Sequence, residues 1–244
     1  MPNDDLLALC ARSAPRLRAL LLDAGNTLIF PDWARIAAWC AEAGAPLSVE
    51  RLQQANTAAT EALDRFMRRQ APRPPRGLLG TALEAAGLAP EVCETVLARI
   101  EGLDREGRLW RVVRPGTVEA LRALRSLGLV LGVVSNADGR VERFLVDAGL
   151  REHLDFVLDS ALVGVEKPDP AIFRLALQRA GASPDEALHV GDICSIDVAG
   201  ARAAGIEAVL LDPVGHYRGC DAPRIRHLDE LAHALTLARR ARAG

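Results

Sequence analysis

Short apolar runs alternate with amphipathic segments along the second half of the chain. The runs are continuous, as in strands that are buried on both faces of a sheet. They cover residues 129–134, 156–158, 187–190 and 208–211. The segments between them repeat apolar residues at spacings of three and four, which is typical of helices that pack one face against a sheet. This alternation predicts a parallel β-sheet covered by helices.

An earlier apolar run, Ala19 to Leu22, predicts one more buried strand, but the segment after it is helical in pattern. Helices are predicted over residues 32–43, 48–70 and 77–108, with a break near Gly87. The predicted fold class is therefore α/β, with a doubly wound, Rossmann-like core interrupted by an all-α domain. We assign residues 1–30 and 113–244 to the core and 31–112 to the insertion.

The composition is that of an ordinary globular protein. Half of the 244 residues are apolar, a quarter are charged and the formal net charge is −2, so the chain can bury a sizeable core. The near-neutral charge gives no electrostatic signature of nucleic-acid binding, and no apolar run approaches the roughly 18 residues of a membrane span. The first residues carry acids where a secretory signal carries bases, so we expect a cytoplasmic protein.

Cysteine and lysine are used unevenly. The five cysteines are widely spaced and contain no Cys-x-x-Cys pair, so we interpret them as reduced thiols. Of the 30 basic residues 29 are arginine, and the single lysine is Lys167. A compact ammonium and a planar guanidinium are not interchangeable in a crowded site, which makes Lys167 a functional candidate. His189 lies inside an apolar run, and we interpret it as a packed, hydrogen-bonded histidine.

Polar residues follow several of the predicted strands. Asp23 comes after the first strand and Ser135 ends the next core strand, while Asp192 and Asp197 follow a later one in G-D-x-x-x-x-D. Ligands bind outside the carboxyl ends of strands in open α/β sheets. We therefore expect these side chains to meet there, together with Lys167 of V-E-K-P-D-P.

In order and setting, these motifs resemble those of the haloacid dehalogenase-like (HAD) superfamily of hydrolases. The resemblance covers the whole chain, because the commonest cap of that family is inserted where residues 31–112 lie. It implies a Rossmann-like core with a helical cap, a Mg²⁺ cofactor and a small phosphorylated substrate. It also implies that Asp23 is the nucleophile, which attacks phosphorus and forms an aspartyl-phosphate.

The remaining motif residues receive roles from the same resemblance. Lys167 would offset the charge that gathers around the nucleophile and the phosphate. The phosphoryl oxygens would be held by Lys167 together with Thr27, Ser135 and Asn136. An alternative for the Ser135–Asn136 pair is that it forms an ordinary turn.

Magnesium would be held by Asp23, by Asp192 and by the backbone carbonyl of Gly25, since Mg²⁺ prefers oxygen ligands. Asp197 would be a further ligand or an anchor behind the ligands. A simpler alternative for Asp197 is that it caps the helix that begins near Val198.

Gly25 is a departure from the pattern of the family's phosphatases, which carry a second aspartate at this position. That aspartate protonates the leaving group and then activates water, and positioned acid–base catalysis contributes roughly 10²- to 10⁴-fold in rate. A glycine keeps the backbone carbonyl for the metal but has no proton to give. The leading hypothesis is therefore a Mg²⁺-dependent phosphatase that is slow or limited to leaving groups needing little protonation.

Two alternatives remain open. The dehalogenase branch of the family also lacks the second aspartate, and D-A-G-N-T resembles its motif. That branch needs no Mg²⁺, lacks the acid at the Asp192 position and uses a cap arginine for the halide, for which Arg51 is a candidate. The second alternative is a catalytically silent homologue that binds a phosphometabolite or a protein.

Overall fold

The structure is a computed structural model that describes residues 4–215 and 217–243. Contacts divide the chain into two compact units. The first, the sheet unit, comprises Met1–Ile29, Val113–Pro213 and Cys220–Gly244. The second, the helical unit, comprises Phe30–Val112 and Val214–Gly219. Residues 214–219 thus group with the helical unit, although the sequence led us to assign all of 113–244 to the core.

The sheet confirms the predicted α/β class. The strands of the described residues are β1 (Ala19–Leu22), β2 (Phe30–Pro31), β3 (Trp110–Val112), β4 (Val130–Ser135), β5 (Phe156–Asp159), β6 (Ala187–Gly191), β7 (Glu207–Leu211) and β8 (Arg224–Ile225). Six of them form a sheet in the order β5-β4-β1-β6-β7-β8, and every neighbouring pair is parallel. β1 lies in the middle, and all of its residues are buried. The continuous apolar runs in the sequence reflect this burial.

The helices match the predicted segments closely. They are α1 (Asp4–Ser13), α2 (Trp33–Glu42), α3 (Val49–Met67), α4 (Gly77–Ala85), α5 (Pro90–Arg105), α6 (Thr117–Ser126), α7 (Val141–Asp147), α8 (Ser160–Val163), α9 (Pro170–Ala180), α10 (Ala199–Ala203) and α11 (Leu228–Ala243). The predicted break near Gly87 separates α4 from α5. None of these helices, in the part of the chain that the structure describes, is long and apolar enough to cross a membrane.

The helical unit has its own apolar core. Side chains from α2, α3, α4 and α5 form one buried cluster, which includes Trp33, Ile36, Leu52, Leu83, Val96 and Ile100. Side-chain caps set two helix starts: Asp32 accepts from the Arg35 N–H before α2, and Ser48 accepts from the Arg51 N–H before α3. Strands β2 and β3 were not predicted; they pair antiparallel where the chain enters and leaves the unit.

Gly132 tests the packing of the central sheet. A Cβ at this position of β4 would lie 2.1 Å from Cζ of Phe156 on β5, so Gly132→Ala forces the ring to move and should cost about 1–3 kcal/mol of unfolding free energy. Gly102 on α5 is the matched control, because a Cβ there meets no atom within 4 Å. Gly102→Ala should stabilise the protein by about 1 kcal/mol through helix propensity. Urea unfolding of both variants checks this, and equal midpoints would contradict it.

Candidate active site

Asp23 begins the site because the central strand ends just before it. Its N–H donates to the Val190 carbonyl of β6 at 2.8 Å, so pairing with β6 extends past β1 and fixes its backbone. The residue is 7% exposed. The Thr27 hydroxyl donates to its Oδ2 at 3.4 Å, a long hydrogen bond. Thr27 therefore faces the Asp23 carboxylate, which is compatible with its predicted place beside a phosphoryl group.

Lys167 joins two carboxylates in the buried site. Its Nζ donates to Asp23 Oδ1 and to Asp197 Oδ1, both at 2.6 Å, and the residue is 2% exposed. Burial by itself would lower the pKa of the ammonium, but the charges of Asp197 and Asp23 outweigh it and raise that pKa. Lys167 is therefore charged across the physiological pH range. The single lysine of the sequence occupies the position where a compact cation bridges two acids.

Asn136 holds the backbone of Lys167. Its Oδ1 accepts from the Lys167 N–H at 2.7 Å, and its Nδ2 donates to the Lys167 carbonyl at 2.8 Å. The Lys167–Pro168 peptide bond that follows is cis. Both polar atoms of the Asn136 amide thus bind the backbone of Lys167, and the predicted contact of Asn136 with a phosphate stays a prediction. Its side chain has a positioning role that the sequence did not reveal.

Ser135 is buried and is the last residue of β4, beside β1 in the sheet. The loop that follows it is anchored by Asp159, whose Oδ2 accepts from the N–H groups of Gly139 and Val141 at 2.9 and 3.3 Å. Asp159 ends β5 and is itself buried. The turn after Ser135 is therefore held in place by a residue of the neighbouring strand. An ordinary isolated turn has no such buried hydrogen-bond acceptor.

Asp192 and Asp197 belong to one tightly closed loop after β6. Residues Cys194–Val198 form a single π-helical turn, in which the Asp197 N–H donates to the Ile193 carbonyl at 2.7 Å. The Ile193 N–H in turn donates to Asp197 Oδ2 at 3.0 Å. Asp197 thus points back to the start of the loop and makes no cap for the helix after Val198, so the simpler alternative for this residue is wrong.

Gly191 makes room for Asp197. A Cβ on Gly191 would lie 2.2 Å from Cγ of Asp197, closer than real Cβ atoms approach other atoms. Any larger residue would displace the carboxylate that holds Lys167. Close packing thus requires the glycine of the G-D motif. Because Gly191 has no side chain, Asp197, five residues after Asp192, has room at the end of the strand.

Asn26 is a site residue that sequence reasoning missed. Its φ of 55° lies in the left-handed region, which asparagine adopts more readily than most residues. The residue is buried, and its side chain hydrogen-bonds to Asp192. An asparagine in a turn directly after Asp23, followed by Thr27, was the available signal. The hydrogen bond of Asn26 lowers the pKa of Asp192 and so stabilises the charged form of that carboxyl.

The carboxylates of the site carry more negative charge than Lys167 neutralises. Burial raises the pKa of the Asp192 carboxyl well above its usual value, and the charges of Asp23 and Asp197 add to that rise. Burial raises the pKa of Asp23 as well. The pKa of Asp197 is lowered, since Lys167 and His189 outweigh its burial. When all three carboxyls are ionised, they carry two more negative charges than the single ammonium of Lys167 balances, and burial makes that state unfavourable without a further cation.

This excess fits a divalent cation that is bound through oxygen. No three Asp, Glu, His or Cys side chains in the described residues are already grouped as metal ligands. The predicted set of Asp23, Asp192 and the Gly25 carbonyl contains two side chains and stays a prediction. Asp197 receives hydrogen bonds on both oxygens, so it suits the role of an anchor behind the ligands.

The prediction that the cysteines are reduced thiols is wrong for two of them. Cys194 and Cys220 form a disulfide, with their Cα atoms 5.9 Å apart, while Cys10, Cys40 and Cys93 are free and buried. The pair is 26 residues apart in sequence and carries no short motif, so only the fold brings it together. It ties the loop that contains Asp192 and Asp197 to the segment after β7.

Arg51 and a second arginine of the helical unit, Arg68, are engaged within that unit. The Arg51 guanidinium donates from Nε to the Ala86 carbonyl at 3.3 Å and from Nη2 to the Ala85 carbonyl at 3.4 Å, at the end of α4. Arg68 pairs with the buried Asp64 at 2.8 Å. Both guanidiniums therefore have structural partners, and Arg51 is a weak candidate for a halide ligand.

Comparison with known proteins gives the same motifs a family context. A family model described as haloacid dehalogenase-like hydrolase matches residues 17–205. A mouse protein, haloacid dehalogenase-like hydrolase domain-containing protein 3, is 44% identical over 129 residues, which cover 52% of this chain and 51% of the mouse protein. The phosphoserine phosphatase of Thermus thermophilus is 42% identical over 132 residues, or 54% of this chain and 51% of that enzyme. The chain thus spans about half the length of these curated relatives.

A solved structure extends the likeness to most of the chain. The 2-haloacid dehalogenase of Pseudomonas syringae covers 91% of this chain and 99% of its own, with a TM-score of 0.54 and 27% sequence identity. Relatives by sequence and by structure therefore include proteins named for phosphate chemistry and for carbon–halogen chemistry. The relatives alone do not distinguish the two reactions, so the choice between them rests on the side chains of the site.

Asp192→Asn tests the excess of negative charge. The folded-state pKa of Asp192 is raised, so its ionised form destabilises the fold at neutral pH, and this cost disappears as the pH falls through that pKa. Without metal, Asp192→Asn should raise the unfolding free energy by about 1–2 kcal/mol at pH 7, and the gain should shrink in acid. Mg²⁺ should raise the Tm of the wild type and leave the Tm of the variant unchanged.

The control is Asp147→Asn, which removes an exposed acid that pairs with Arg143 at 3.7 Å. Such surface pairs contribute little, so this variant should keep both the wild-type stability and its Mg²⁺ response. Scanning calorimetry with and without Mg²⁺ measures all three proteins. A wild type with no Mg²⁺ response, or an Asp192→Asn variant that is less stable than wild type, would contradict the assignment.

Proposed function

The chain belongs to the haloacid dehalogenase-like hydrolase family, and on the charges of its site we propose that it is a Mg²⁺-dependent phosphatase acting on a small phosphorylated metabolite. The observation that carries the proposal is the buried group of Asp23, Asp192 and Asp197, whose charge exceeds that of Lys167. A site with this excess suits a divalent cation and the phosphate dianion that the cation binds. The relative from Thermus thermophilus, a phosphoserine phosphatase, supports the same chemistry.

The reaction starts with attack by an Asp23 oxygen on the phosphorus of the ester. A P–O bond to Asp23 forms while the P–O bond to the substrate oxygen breaks, and the leaving alcohol takes a proton from water. In the second step water attacks the aspartyl-phosphate, the bond to Asp23 breaks, and inorganic phosphate and a proton leave. This proton neutralises the hydroxide that the first step leaves, and Asp23 is regenerated, so the net reaction consumes one water for each ester.

The neighbouring residues position these groups. Lys167 holds Asp23 Oδ1 at 2.6 Å and supplies a positive charge next to the transferring phosphoryl group. Thr27 and Ser135, with the N–H groups of the turn that Asp159 anchors, would bind the phosphoryl oxygens. Mg²⁺, held by Asp23, Asp192 and the Gly25 carbonyl, would add charge stabilisation to the transferring group. We further propose that the helical unit acts as the family's cap and selects the substrate.

Gly25 sets the limits of this activity. No side chain at this position donates a proton to the leaving oxygen, so esters of poor leaving groups react slowly. Esters whose leaving group is stable as an anion, such as aryl and acyl phosphates, need no such donor. We therefore expect a preference for leaving groups of low pKa.

Carbon–halogen hydrolysis is the second candidate, because Gly25 and the dehalogenase neighbour from Pseudomonas syringae are compatible with it. Two observations weigh against it. Asp192 is present, buried and bonded by Asn26, whereas the dehalogenase pattern lacks this acid. Arg51, the candidate halide ligand, is engaged by the carbonyls at the end of α4.

Substitution of Gly25 tests the proposal directly. The backbone at Gly25 is outside the left-handed region, so aspartate fits there without backbone strain, and Gly25→Asp should raise kcat on alkyl phosphates by at least about tenfold. Gly25→Asn is the matched control of equal size without an acid, and it should not. Asp23→Asn should abolish turnover. Phosphate release from a panel of aryl, acyl and alkyl phosphates with Mg²⁺ measures these effects.

The same panel separates the alternatives. Chloride release from a 2-haloacid by the wild type would establish a dehalogenase. Binding of phosphate without turnover in the wild type and in Gly25→Asp would establish a silent binding protein. If neither phosphate release nor Mg²⁺ binding is found with the wild type, the phosphatase proposal fails.

A further inference from the structure

His189 contacts the charged group from inside the sheet. It lies in the middle of β6, paired in register with Leu21 of β1 and Ala208 of β7, and it is fully buried. Its Nε2 lies 3.1 Å from Asp197 Oδ1, the same oxygen that accepts from Lys167. A continuous set of hydrogen bonds therefore runs from His189 through Asp197 and Lys167 to Asp23.

Burying an imidazole at this position costs folding free energy that an apolar side chain would not. Its neighbours along β6 are Leu188 and Val190, and the ring edge packs on Phe173 with centroids 5.0 Å apart and an angle of 83°. The Nδ1 atom is buried and has no hydrogen-bond partner among the described residues. Valine or leucine would fit the strand without an unsatisfied nitrogen. The hydrogen bond to Asp197 is what distinguishes histidine from these apolar residues here.

We propose that His189 is a positioning residue, which fixes Asp197 so that Lys167 remains bound to the Asp23 carboxylate. The inference rests on the proposed function for its catalytic consequence, while the positioning itself is a property of the unliganded protein. It assigns a role to a residue that acts on Asp23 through Asp197 and Lys167.

The geometry around Asp197 explains how His189 acts. Its Oδ2 is held by the Ile193 N–H at 3.0 Å, and its Cγ lies against Gly191. His189 binds Oδ1 from the sheet side in addition to Lys167, so this oxygen has one partner that belongs to the rigid sheet. Without His189, Oδ1 keeps Lys167 as its donor, and the carboxylate follows the ammonium. Lys167 then loses the fixed partner that holds it at Asp23.

The same geometry fixes the proton on the imidazole. An ionised carboxylate has no proton to donate, so the hydrogen bond to Asp197 requires a proton on His189 Nε2. Neutral imidazole with its proton on Nε2 leaves only a lone pair at the buried Nδ1, whereas the opposite tautomer would bury an unpaired N–H and lose the hydrogen bond. We expect the Nε2–H tautomer in the folded protein.

The single lysine of the chain makes positioning measurable without turnover. Protein labelled with ¹⁵N at the lysine side chain has one ammonium signal, that of Lys167. His189→Asn and His189→Leu should shift this signal, because asparagine is too short to replace Nε2 and leucine has no donor. His189→Gln carries its amide nitrogen near the Nε2 position and should keep the signal close to wild type.

His153→Leu is the matched control, since it removes another buried histidine of the sheet unit and should leave the lysine signal unchanged. If the wild type hydrolyses phosphate esters, His189→Asn should lower kcat by about 10- to 100-fold, with KM changed less than about threefold, and His189→Gln should restore most of the activity. This split separates positioning from general loss of stability.

Two results would overturn the proposal. One is a wild-type ¹⁵N-histidine spectrum in which His189 carries its proton on Nδ1, which needs no variant to fold. The other is a Lys167 signal that is unchanged in His189→Asn. Both are independent of catalysis, so they are distinct from a failure of the phosphatase proposal, which would appear as absent turnover with normal spectra.

Discussion

The site depends on two buried salt bridges that one ammonium makes to two carboxylates. Lys167 lies 2.6 Å from both Asp23 and Asp197, in surroundings where an unpaired charge would be strongly unfavourable. Losing either partner would leave an uncompensated buried charge. The backbone clamp from Asn136 and the room that Gly191 leaves for Asp197 both serve to keep this ammonium in place.

The sheet explains why the charges meet. β1 lies between β4 and β6 in a parallel sheet, so Asp23, Ser135 and Asp192 all stand at the carboxyl ends of adjacent strands. Apolar residues fill the central strands, and His189, inside β6, is a fully buried polar residue behind this edge. Burial raises the pKa of Asp192 and so disfavours its charged form. The proposed function needs that charge, which a bound cation would offset.

Much of the fold could be predicted from the sequence, because long apolar runs and helical spacings depend on local pattern. The candidate residues were also predictable: Asp23, Ser135 and Asp192 from the ends of those runs, and Lys167 from the bias against lysine. Their roles in binding and catalysis stay proposals. His189 was correctly interpreted as packed and hydrogen-bonded, but its partner became visible only in the fold.

Contacts between distant segments were beyond the sequence. Asn136 and Lys167 are 31 residues apart, and no local pattern marks a side chain that will clamp a remote backbone. The disulfide between Cys194 and Cys220 was missed for the same reason, since odd, widely spaced cysteines do not reveal a pair. Asn26 could have been identified from the sequence, because asparagine in a turn often adopts the left-handed backbone conformation.

Asp23 accepts the phosphoryl group in the proposed reaction, and acid-quenched mass spectrometry with acetyl phosphate measures this transfer directly. Acetate leaves without a proton, so the first step should proceed despite Gly25, while the lack of a base at that position should slow the attack of water. We expect the peptide containing Asp23 to gain the mass of one phosphoryl group, only when Mg²⁺ is present. An unmodified Asp23 after incubation with Mg²⁺, or a phosphoryl group on another residue, would contradict it.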